Sequence, residues 1–279
     1  MPLSESLAAV ATSPLIKGLL EFLKYLFFGI GILSQPMLST SLFVRSTSLN
    51  KDATGLRDES PSKEKGNIAS RPQDNIPDIE LMPIGFSAID DLEDHQRHFS
   101  KIGVFSILAT LQQPKSRGTV RLASSNPHDR PKIDFGFLSN PADLTLARTA
   151  IRLSLKLGEA MKESGFPLLR NLVYPEEKQE IDIKNNTDDE MDKFIRRRAR
   201  TTYHYACTCR MAPKDDAEAP GVVDDHLRVH GVRNLRVCDT SVFPKIVSSH
   251  LQAPAVMVAE RCAEWIKKDA VRIGLRKTL

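Results

Sequence analysis

The first apolar pattern along the chain has the spacing of a helix. The side chains that recur at intervals of three and four positions are Leu15, Leu19, Phe22, Leu23 and Leu26. Lys17, Glu21 and Lys24 interrupt this segment, and its longest apolar run, residues 26 to 33, is far shorter than the roughly 18 residues of a membrane-spanning helix. A signal peptide would carry its charges ahead of the apolar region rather than within it. We therefore predict an amphipathic helix that packs on protein rather than on a membrane surface.

A polar segment separates this helix from the first predicted strands. Residues 45 to 78 contain almost no core-forming side chains, which predicts a long exposed loop or a disordered insert. The apolar run at residues 102 to 114 is rich in isoleucine, valine and phenylalanine and predicts a buried strand. Beyond a turn at Arg117 and Gly118, residues 119 to 122 predict a second, short strand.

Two helices are predicted in the middle of the chain. Pro141 suits the first turn of the longer one, and Gly165 is a plausible stop. Its apolar residues at helical spacing are Leu144, Ala147, Ile151 and Leu155. Thr187 and Glu190 have the spacing of a capping box, which predicts the start of a second helix that ends near Arg200.

The last third of the chain alternates short β-rich runs with turns and then ends in a helix. Pro254 falls in the first turn of that helix. The positions that form one of its faces are Ala255, Val258, Ala259, Cys262 and Ile266. Strands and helices are mixed without a regular βαβ rhythm, so the predicted fold class is α+β.

Composition and charge exclude several classes of function. The chain has 279 residues, 41% of them hydrophobic and 27% charged, as in an ordinary soluble globular protein. Its net charge of +4 is mild, whereas nucleic-acid binders carry a stronger basic surplus or a basic stripe. The one dense basic run, residues 196 to 200, is interpreted as the solvated end of a helix, where cations suit the dipole. No nucleic-acid partner is expected.

The four cysteines predict neither a disulfide framework nor a metal site. Cys207 and Cys209 are too close in sequence to form an ordinary bridge with each other, and Cys238 and Cys262 stand alone. A zinc site would need a second pair at metal-binding spacing. We expect no metal and four reduced thiols, most of them buried as small hydrophobic side chains.

Two histidines are candidates for chemistry. His250 immediately precedes the last helix, whose start carries unpaired N–H groups and a partial positive charge, so an anionic ligand such as a reduced flavin would be stabilised there. His204 lies between two tyrosines in a half-apolar stretch. Each histidine alone is also compatible with an ordinary loop or packing role. The remaining histidines are interpreted as structural: His226 and His230 lie in the β-rich segment, and His95, His98 and His128 match no motif.

Three ordered motifs resemble a known family. The stretches "YHYACTCRM", "GVVDDHLRVHGVRNLRVCDTSVFP" and "SSHLQAPAVMVAERCAEWI" are similar to the C-terminal signature of the glucose–methanol–choline (GMC) family of FAD-dependent oxidoreductases. Upstream, "PKSRGTVRLASSNPHDRPKIDFGFLSNPADL" resembles the start of the family's substrate domain. The opening stretch, from Pro2 to Pro36, resembles its middle region. The resemblance covers most of the chain except residues 45 to 78.

The resemblance implies a domain organisation. Residues 1–44 form the helical middle region, 45–78 the polar insert, 79–200 the substrate-binding domain with an antiparallel sheet and helices, and 201–279 the catalytic and FAD-contacting segment. That last segment carries the closing strand and helix of the FAD-binding domain. The family's N-terminal G-x-G-x-x-G motif does not occur in the sequence. We therefore expect the N-terminal Rossmann portion to be absent from this chain.

The resemblance also implies roles for single residues. His204 takes the position of the catalytic base, and His250 the second position, which is His or Asn in the family. A neutral imidazole suits removal of an alcohol proton near neutral pH, and a second imidazole can orient the oxygen. The residues implied to contact FAD are Asp239, Thr240, Leu251 and Gln252. Asp239 alone could also be an Asx-turn or cap residue.

The expected function is FAD-dependent oxidation of an alcohol at a CH–OH group, by a truncated or split form of the enzyme. The expected partners are a small-molecule alcohol and a separate N-terminal FAD-binding half. Non-redox acid–base chemistry, as in a lyase or cyclase, and a non-catalytic binding remnant remain alternatives. Cys207 and Ala212 stand where the family usually has glycine, which puts full activity in doubt. No localisation is assigned beyond a cytoplasmic default.

Overall fold

The chain folds into two units. The computed structural model describes residues 14–34, 40–57, 76–88, 103–168, 187–217 and 219–272, together with residues 93 and 99. The first unit comprises residues 1–114 and 140–198, and the second comprises 115–139 and 199–279. Small antiparallel sheets and helices give an α+β architecture. The domain boundaries drawn from the family resemblance remain predictions.

The amphipathic N-terminal segment forms a helix, α1 (Pro14–Phe28). Its helical spacing was predicted correctly, but its expected packing on protein is not met, because Leu15 is 87% exposed and Leu26 59%. The described residues supply no surface that covers this apolar face. Among the helices that the structure describes, none combines the length and apolar character needed to cross a membrane.

A three-stranded antiparallel sheet forms the centre of the first unit. Its strands lie in the order β1, β2, β3, and their bounds are Leu42–Val44, Ile79–Ile84 and Ser106–Leu111. The strand predicted within residues 102 to 114 is therefore confirmed as β3. In sequence terms Pro83 argues against a central strand, because proline has no backbone N–H to donate to a neighbouring strand. β1 pairs only with residues 79 to 81, so Pro83 lies beyond its end and leaves no ladder bond unmade on that side.

The long predicted helix is confirmed as α2 (Pro141–Glu163), which packs on this sheet. The Asn140 side chain caps it by accepting a hydrogen bond from the Ala142 amide at 3.0 Å. Gly165 follows its end with φ +91°, a conformation that favours glycine. Ala150 is fully buried, and the apolar side chains around it are Ile79, Leu81, Leu146, Leu153 and Leu157.

The capping box is confirmed at the start of α3 (Asp188–Arg198). The Thr187 amide donates to Glu190 at 3.0 Å, and the Glu190 amide donates to the Thr187 hydroxyl at 3.3 Å. Arg148 and Arg152 of α2 each donate to the Asp188 carboxylate at 2.5 Å. The two arginines therefore tie the first turn of α3 to α2.

This tie predicts a pH dependence of stability in the first unit. The hydrogen bond from Arg152, assisted by the charge of Arg148, holds the pKa of Asp188 below its usual range. The carboxylate therefore stabilises the folded state above its unfolded pKa, and that contribution is lost as pH falls through the lower folded value. We expect Asp188→Asn to flatten the fall in unfolding midpoint between about pH 5 and pH 3, measured by urea denaturation followed by circular dichroism. Asp189→Asn is the matched control, and equal behaviour of the two variants would contradict the prediction.

The predicted polar insert is described only at its two ends. Residues 46–48 form a 3₁₀ turn, and Leu49 and Ala53 are buried, so this end contributes to the core more than the composition suggests. The Asp78 carboxylate accepts hydrogen bonds from the amide and hydroxyl of Ser46 at 2.7 and 2.5 Å. The ends of the insert are thus joined to each other, and residues 58–75 lie outside the described residues.

The second unit combines a β-hairpin, irregular loops and one long helix. Strands β4 (Thr119–Arg121) and β5 (Lys132–Asp134) pair antiparallel, which confirms the short strand predicted near 119 to 122. Helix α4 (Gln252–Arg272) is the predicted last helix. The core that joins the helix to the loops consists of Val223, Leu227, Val242, Phe243, Leu251 and Cys262.

The closing strand expected before α4 is present only as isolated bridges, such as Arg228 with Arg236. A regular strand needs a neighbouring strand to satisfy its backbone groups, and the described residues of this unit provide none beside it. Trp265 of α4 packs against the core, and its ring lies 5.0 Å from that of His226. The Arg261 guanidinium lies 5.3 Å from the centre of the same ring.

Candidate active site

Backbone hydrogen bonds join the stretch around His204 to the segment that contains Thr240. The amides of Cys207, Cys209 and Met211 donate to the carbonyls of residues 240, 241 and 242 at 3.2, 2.9 and 2.9 Å. The Thr240 hydroxyl donates to the Tyr205 carbonyl at 2.8 Å. Two of the motifs that lie far apart in sequence are therefore fixed side by side.

The two candidate histidines meet in the second unit. Their ring centres are 4.9 Å apart, and the planes of the His204 and His250 rings are inclined by 83°. His204 is half-buried and His250 is exposed. This edge-to-face contact brings two imidazoles to one place, where a single small polar molecule can contact both.

Helix α4 begins at Gln252, two residues after His250. The Leu251 carbonyl accepts the first helical hydrogen bond, from Ala255 at 2.9 Å. The side chain of Leu251 is 7% exposed and belongs to the core, whereas Gln252 is exposed. A ligand at this helix start would therefore meet the side chain of Gln252 but only the backbone of Leu251.

Asp239 caps the short 3₁₀ turn Thr240–Val242. Its carboxylate accepts a hydrogen bond from the Ser241 amide at 2.7 Å, which is the cap role considered from the sequence alone. The residue is nevertheless exposed. A carboxylate has several acceptor sites, so the cap leaves acceptor capacity for hydroxyl groups of a ligand.

The arrangement suits a flavin cofactor on the chemistry of its donors and acceptors. The exposed Asp239 carboxylate can accept from ribityl hydroxyls, and it would repel a diphosphate. The first turn of α4 presents N–H groups and a partial positive charge, which suit a ring system that becomes anionic on reduction. Asp239, Thr240, Leu251 and Gln252 thus offer groups of the kinds that such a cofactor requires.

A row of aromatic rings continues from Tyr203 and Tyr205, and the sequence reasoning missed half of it. Phe135 and Phe137 of the hairpin stack with ring centres 5.1 Å apart, and Phe135 lies 6.0 Å from Tyr205. All four rings are between 49% and 69% exposed. Gly136, at φ +60°, has no room for a side chain because a Cβ would meet the Arg117 carbonyl. The only sequence signal was the Phe-Gly-Phe alternation, which does not identify its partner.

Cys207, at the position where the resemblance implies glycine, has the backbone conformation that favours glycine. Its φ is +71°, in the left-handed region that disfavours residues with a Cβ atom. Burial raises the pKa of its thiol, against the opposing charges of Arg117 and Arg210. The thiol is therefore neutral at physiological pH, and the backbone beside His204 stores strain.

This strain predicts the effect of two substitutions. Glycine removes the energetic penalty of the left-handed backbone conformation, whereas alanine retains it. The free energy of unfolding of Cys207→Gly should therefore exceed that of Cys207→Ala by about 1 kcal/mol. Ala206→Gly, next to it but without a positive φ, should instead destabilise by about 0.5–1 kcal/mol. Urea denaturation of the three variants checks the order. An alanine variant as stable as the glycine variant would show that no strain is stored at this position.

Other polar side chains of the second unit have structural partners. His230 lies 2.9 Å from the Ala212 carbonyl, and His226 lies 2.9 Å from the Asp225 carboxylate. Donor atoms of Asp224, Asp225 and His226 lie within 4.8 Å of one another, as a metal site would need. Asp224, however, already accepts from the Arg228 guanidinium at 2.8 Å. The expectation of no metal remains a prediction.

Comparisons with known proteins agree on one family. A family model described as GMC oxidoreductase matches residues 114–259. The chain is 33% identical over 220 residues to an oxygen-dependent choline dehydrogenase of Pseudomonas fluorescens, covering 77% of this chain and 35% of that protein. It is 35% identical over 202 residues to the mitochondrial choline dehydrogenase of Mus musculus, covering 72% and 32%.

A solved structure agrees with the sequence matches. An Aspergillus oryzae formate oxidase variant, studied for its FAD modification, superposes with a TM-score of 0.68 at 28% identity. The superposition covers 91% of this chain and 42% of that one. The chain therefore spans about a third of the length of the curated relatives it matches.

Proposed function

This chain belongs to the GMC oxidoreductase family, and on that premise we propose that it forms the substrate-facing part of an FAD-dependent enzyme that oxidises an alcohol at a CH–OH group. The observation that carries the proposal is the contact between the rings of His204 and His250, 4.9 Å apart within the matched region. Two imidazoles at this distance can share one hydroxyl group.

The two histidines have different roles in this proposal. His204 accepts the proton of the substrate hydroxyl, since a neutral imidazole is a competent base near neutral pH. His250 holds the same oxygen by a hydrogen bond and thereby fixes the orientation of the carbinol carbon. The flavin, when bound, supplies the chemistry that accepts the hydride. Loss of the hydroxyl proton makes the hydride on the carbinol carbon easier to release. The two histidines therefore both act on the CH–OH group of the substrate.

The residues proposed to hold the cofactor come from two segments, Asp239 with Thr240 and, directly after His250, Leu251 with Gln252. Asp239 and the Thr240 backbone would contact its ribityl part, and the backbone of Leu251 with the Gln252 side chain would contact its ring system. A partial positive charge at the start of α4 would stabilise the reduced, anionic ring. All four of these residues belong to the same unit as the histidines.

The proposal includes a second component. Because the chain spans about a third of the length of its relatives, the remainder of a complete enzyme would come from a dinucleotide-binding part outside this sequence. We propose that this part is an N-terminal FAD-binding half. The exposed apolar face of α1 and the exposed Val256 and Met257 of α4 are surfaces that such a part could cover.

A chimera tests the proposal directly. The aligned third of the Pseudomonas fluorescens enzyme is replaced by this chain, and the unmodified enzyme serves as the positive control. We expect the chimera to purify yellow and its flavin to bleach when a primary alcohol is added without oxygen. Choline, an aryl alcohol and a short aliphatic alcohol make a suitable first panel.

Two outcomes would contradict the proposal in different ways. A folded chimera that stays colourless with excess FAD would exclude the cofactor role of this chain. A yellow chimera that none of the alcohols bleaches would exclude the redox reaction with them and favour acid–base chemistry without hydride transfer. The unmodified enzyme must bleach with choline for either result to count.

A further inference from the structure

Cys238 and Cys262 stand alone in the sequence but meet in the fold. The Cys238 thiol donates to the Val258 carbonyl at 3.6 Å, and Cys262 lies one helical turn beyond Val258 on α4. The Cys238 sulfur therefore lies against the stretch of α4 that leads to Cys262, and Cys238 packs on the core cluster to which Cys262 belongs. Cys262 is 3% exposed and Cys238 is half-buried, so the pair lies in the core of the second unit with one member reachable from outside.

We propose that Cys238 and Cys262 are a latent disulfide pair that closes when the folded protein meets a hydroperoxide. The pair joins the segment that precedes the Thr240–Val242 turn to the middle of α4. The loop between them, residues 239 to 261, contains all of the candidate site residues except His204. A bond at this position would therefore fasten the segment that leads into Asp239 and Thr240 to α4, the helix that follows His250 and Leu251.

The reaction balances with the peroxide as the oxidant. The Cys238 thiolate attacks one peroxide oxygen, the O–O bond breaks, and the sulfenic acid and one water or alcohol form. The Cys262 sulfur then attacks the Cys238 sulfur, the S–O bond breaks, and a second water leaves. Two S–H bonds are lost, one S–S bond forms, and the two electrons reduce the peroxide.

The reaction should be slow in the resting protein. Burial, with the neighbouring Cys262 thiol and the Asp239 charge, raises the pKa of Cys238 to about 11. Since the thiolate is the reactive form, only a small fraction of Cys238 reacts at neutral pH. A slow rate agrees with a pair that stays reduced under ordinary conditions and closes under sustained oxidant or at raised pH.

The other two cysteines provide an internal comparison. Cys207 and Cys209 are two positions apart and are both half-buried, and their side chains leave the backbone at positions too close for an ordinary bridge. Their amides donate to the carbonyls of residues 240 and 241, which fixes their backbone along that segment, whereas the Cys238 thiol donates to the carbonyl of Val258 on α4. They should remain thiols while Cys238 and Cys262 pair.

The test uses the full chain, purified reduced and then treated with hydrogen peroxide or buffer alone. Free thiols are alkylated under denaturing conditions, and tryptic peptides are analysed without reductant. Residues 237–245 and 262–267 should appear as one cross-linked species, lighter than the sum of its parts by two hydrogens, with the peptide 201–210 alkylated at both cysteines. The unfolding midpoint of the oxidised chain should rise by about 5–10 °C and return on reduction.

Substitutions of the cysteines test whether the cross-link requires Cys238 and Cys262. Cys238→Ser and Cys262→Ala should each abolish the cross-link and the rise in midpoint, while the double variant Cys207→Ala with Cys209→Ala should keep both. The proposal is overturned if the two peptides remain alkylated after oxidation of the folded chain. It is equally overturned if Cys238 is found bonded to Cys207 or Cys209, or if the cross-link forms only after the chain is unfolded.

Discussion

His204→Ala in the reconstituted chimera should lower kcat/KM for the alcohol by about 1,000-fold, within the range by which a positioned general base accelerates proton transfer. The imidazole is the group proposed to remove the hydroxyl proton, and water replaces it poorly because it is neither oriented nor basic enough. The rate of anaerobic flavin bleaching, measured against alcohol concentration, gives the value. The yellow colour of the variant shows that cofactor binding has survived the change.

Three further substitutions make this measurement specific. His128→Ala removes an exposed histidine of the same unit and should leave kcat/KM within about twofold, as expected for a surface position with no proposed role in the reaction. His250→Asn keeps a side chain that can hold the alcohol oxygen and should lose less activity than His250→Ala. If His204→Ala and His128→Ala behave alike, His204 is not the base.

Leu251→Ala should lower the unfolding free energy of the isolated chain by about 3 kcal/mol, a typical cost of removing a buried leucine side chain. Leu251 is 7% exposed, and it packs with Val242 and Cys262 between the loops and α4. Urea denaturation of the chain without any cofactor measures the loss. The matched control is Met257→Ala on α4, which removes a side chain that is 65% exposed and should cost less than about 0.5 kcal/mol.

The same pair of variants distinguishes two views of Leu251. If its side chain mainly contacted a bound flavin, Leu251→Ala would leave the isolated chain as stable as Met257→Ala does and would weaken only FAD binding. If its side chain supports the core, stability falls before any cofactor is added. The burial of Leu251 favours the second result and leaves its backbone as the part proposed to meet the cofactor.

Local signals in the sequence predicted the helices of the first unit well. The apolar spacing of α2 and the Thr187 and Glu190 pair of α3 depend on neighbours within a few positions, and both are formed as predicted. The apolar spacing of α1 also predicted a helix correctly. It could not say what covers the helix, because that depends on surfaces far away in sequence or outside it.

Long-range contacts were the part that the sequence did not reveal. β1 and β2 were not predicted as strands, since β1 is three residues long and Pro83 interrupts β2 one residue before its end. The stacking of Phe135 on Tyr205 and the meeting of Cys238 with Cys262 join residues 70 and 24 positions apart, and composition carries no record of such pairs. The histidine pair was reached only through the family resemblance.

The position of Trp265 gives the second unit its own optical signal. It is the chain's single tryptophan, and it lies on the core of this unit between His226 and Arg261. Its fluorescence therefore reports only on the unit that carries the candidate site, while the long helix and sheet of the first unit contribute to circular dichroism but not to indole emission. Denaturation curves recorded by the two methods would coincide if the units unfold together and separate if they unfold independently.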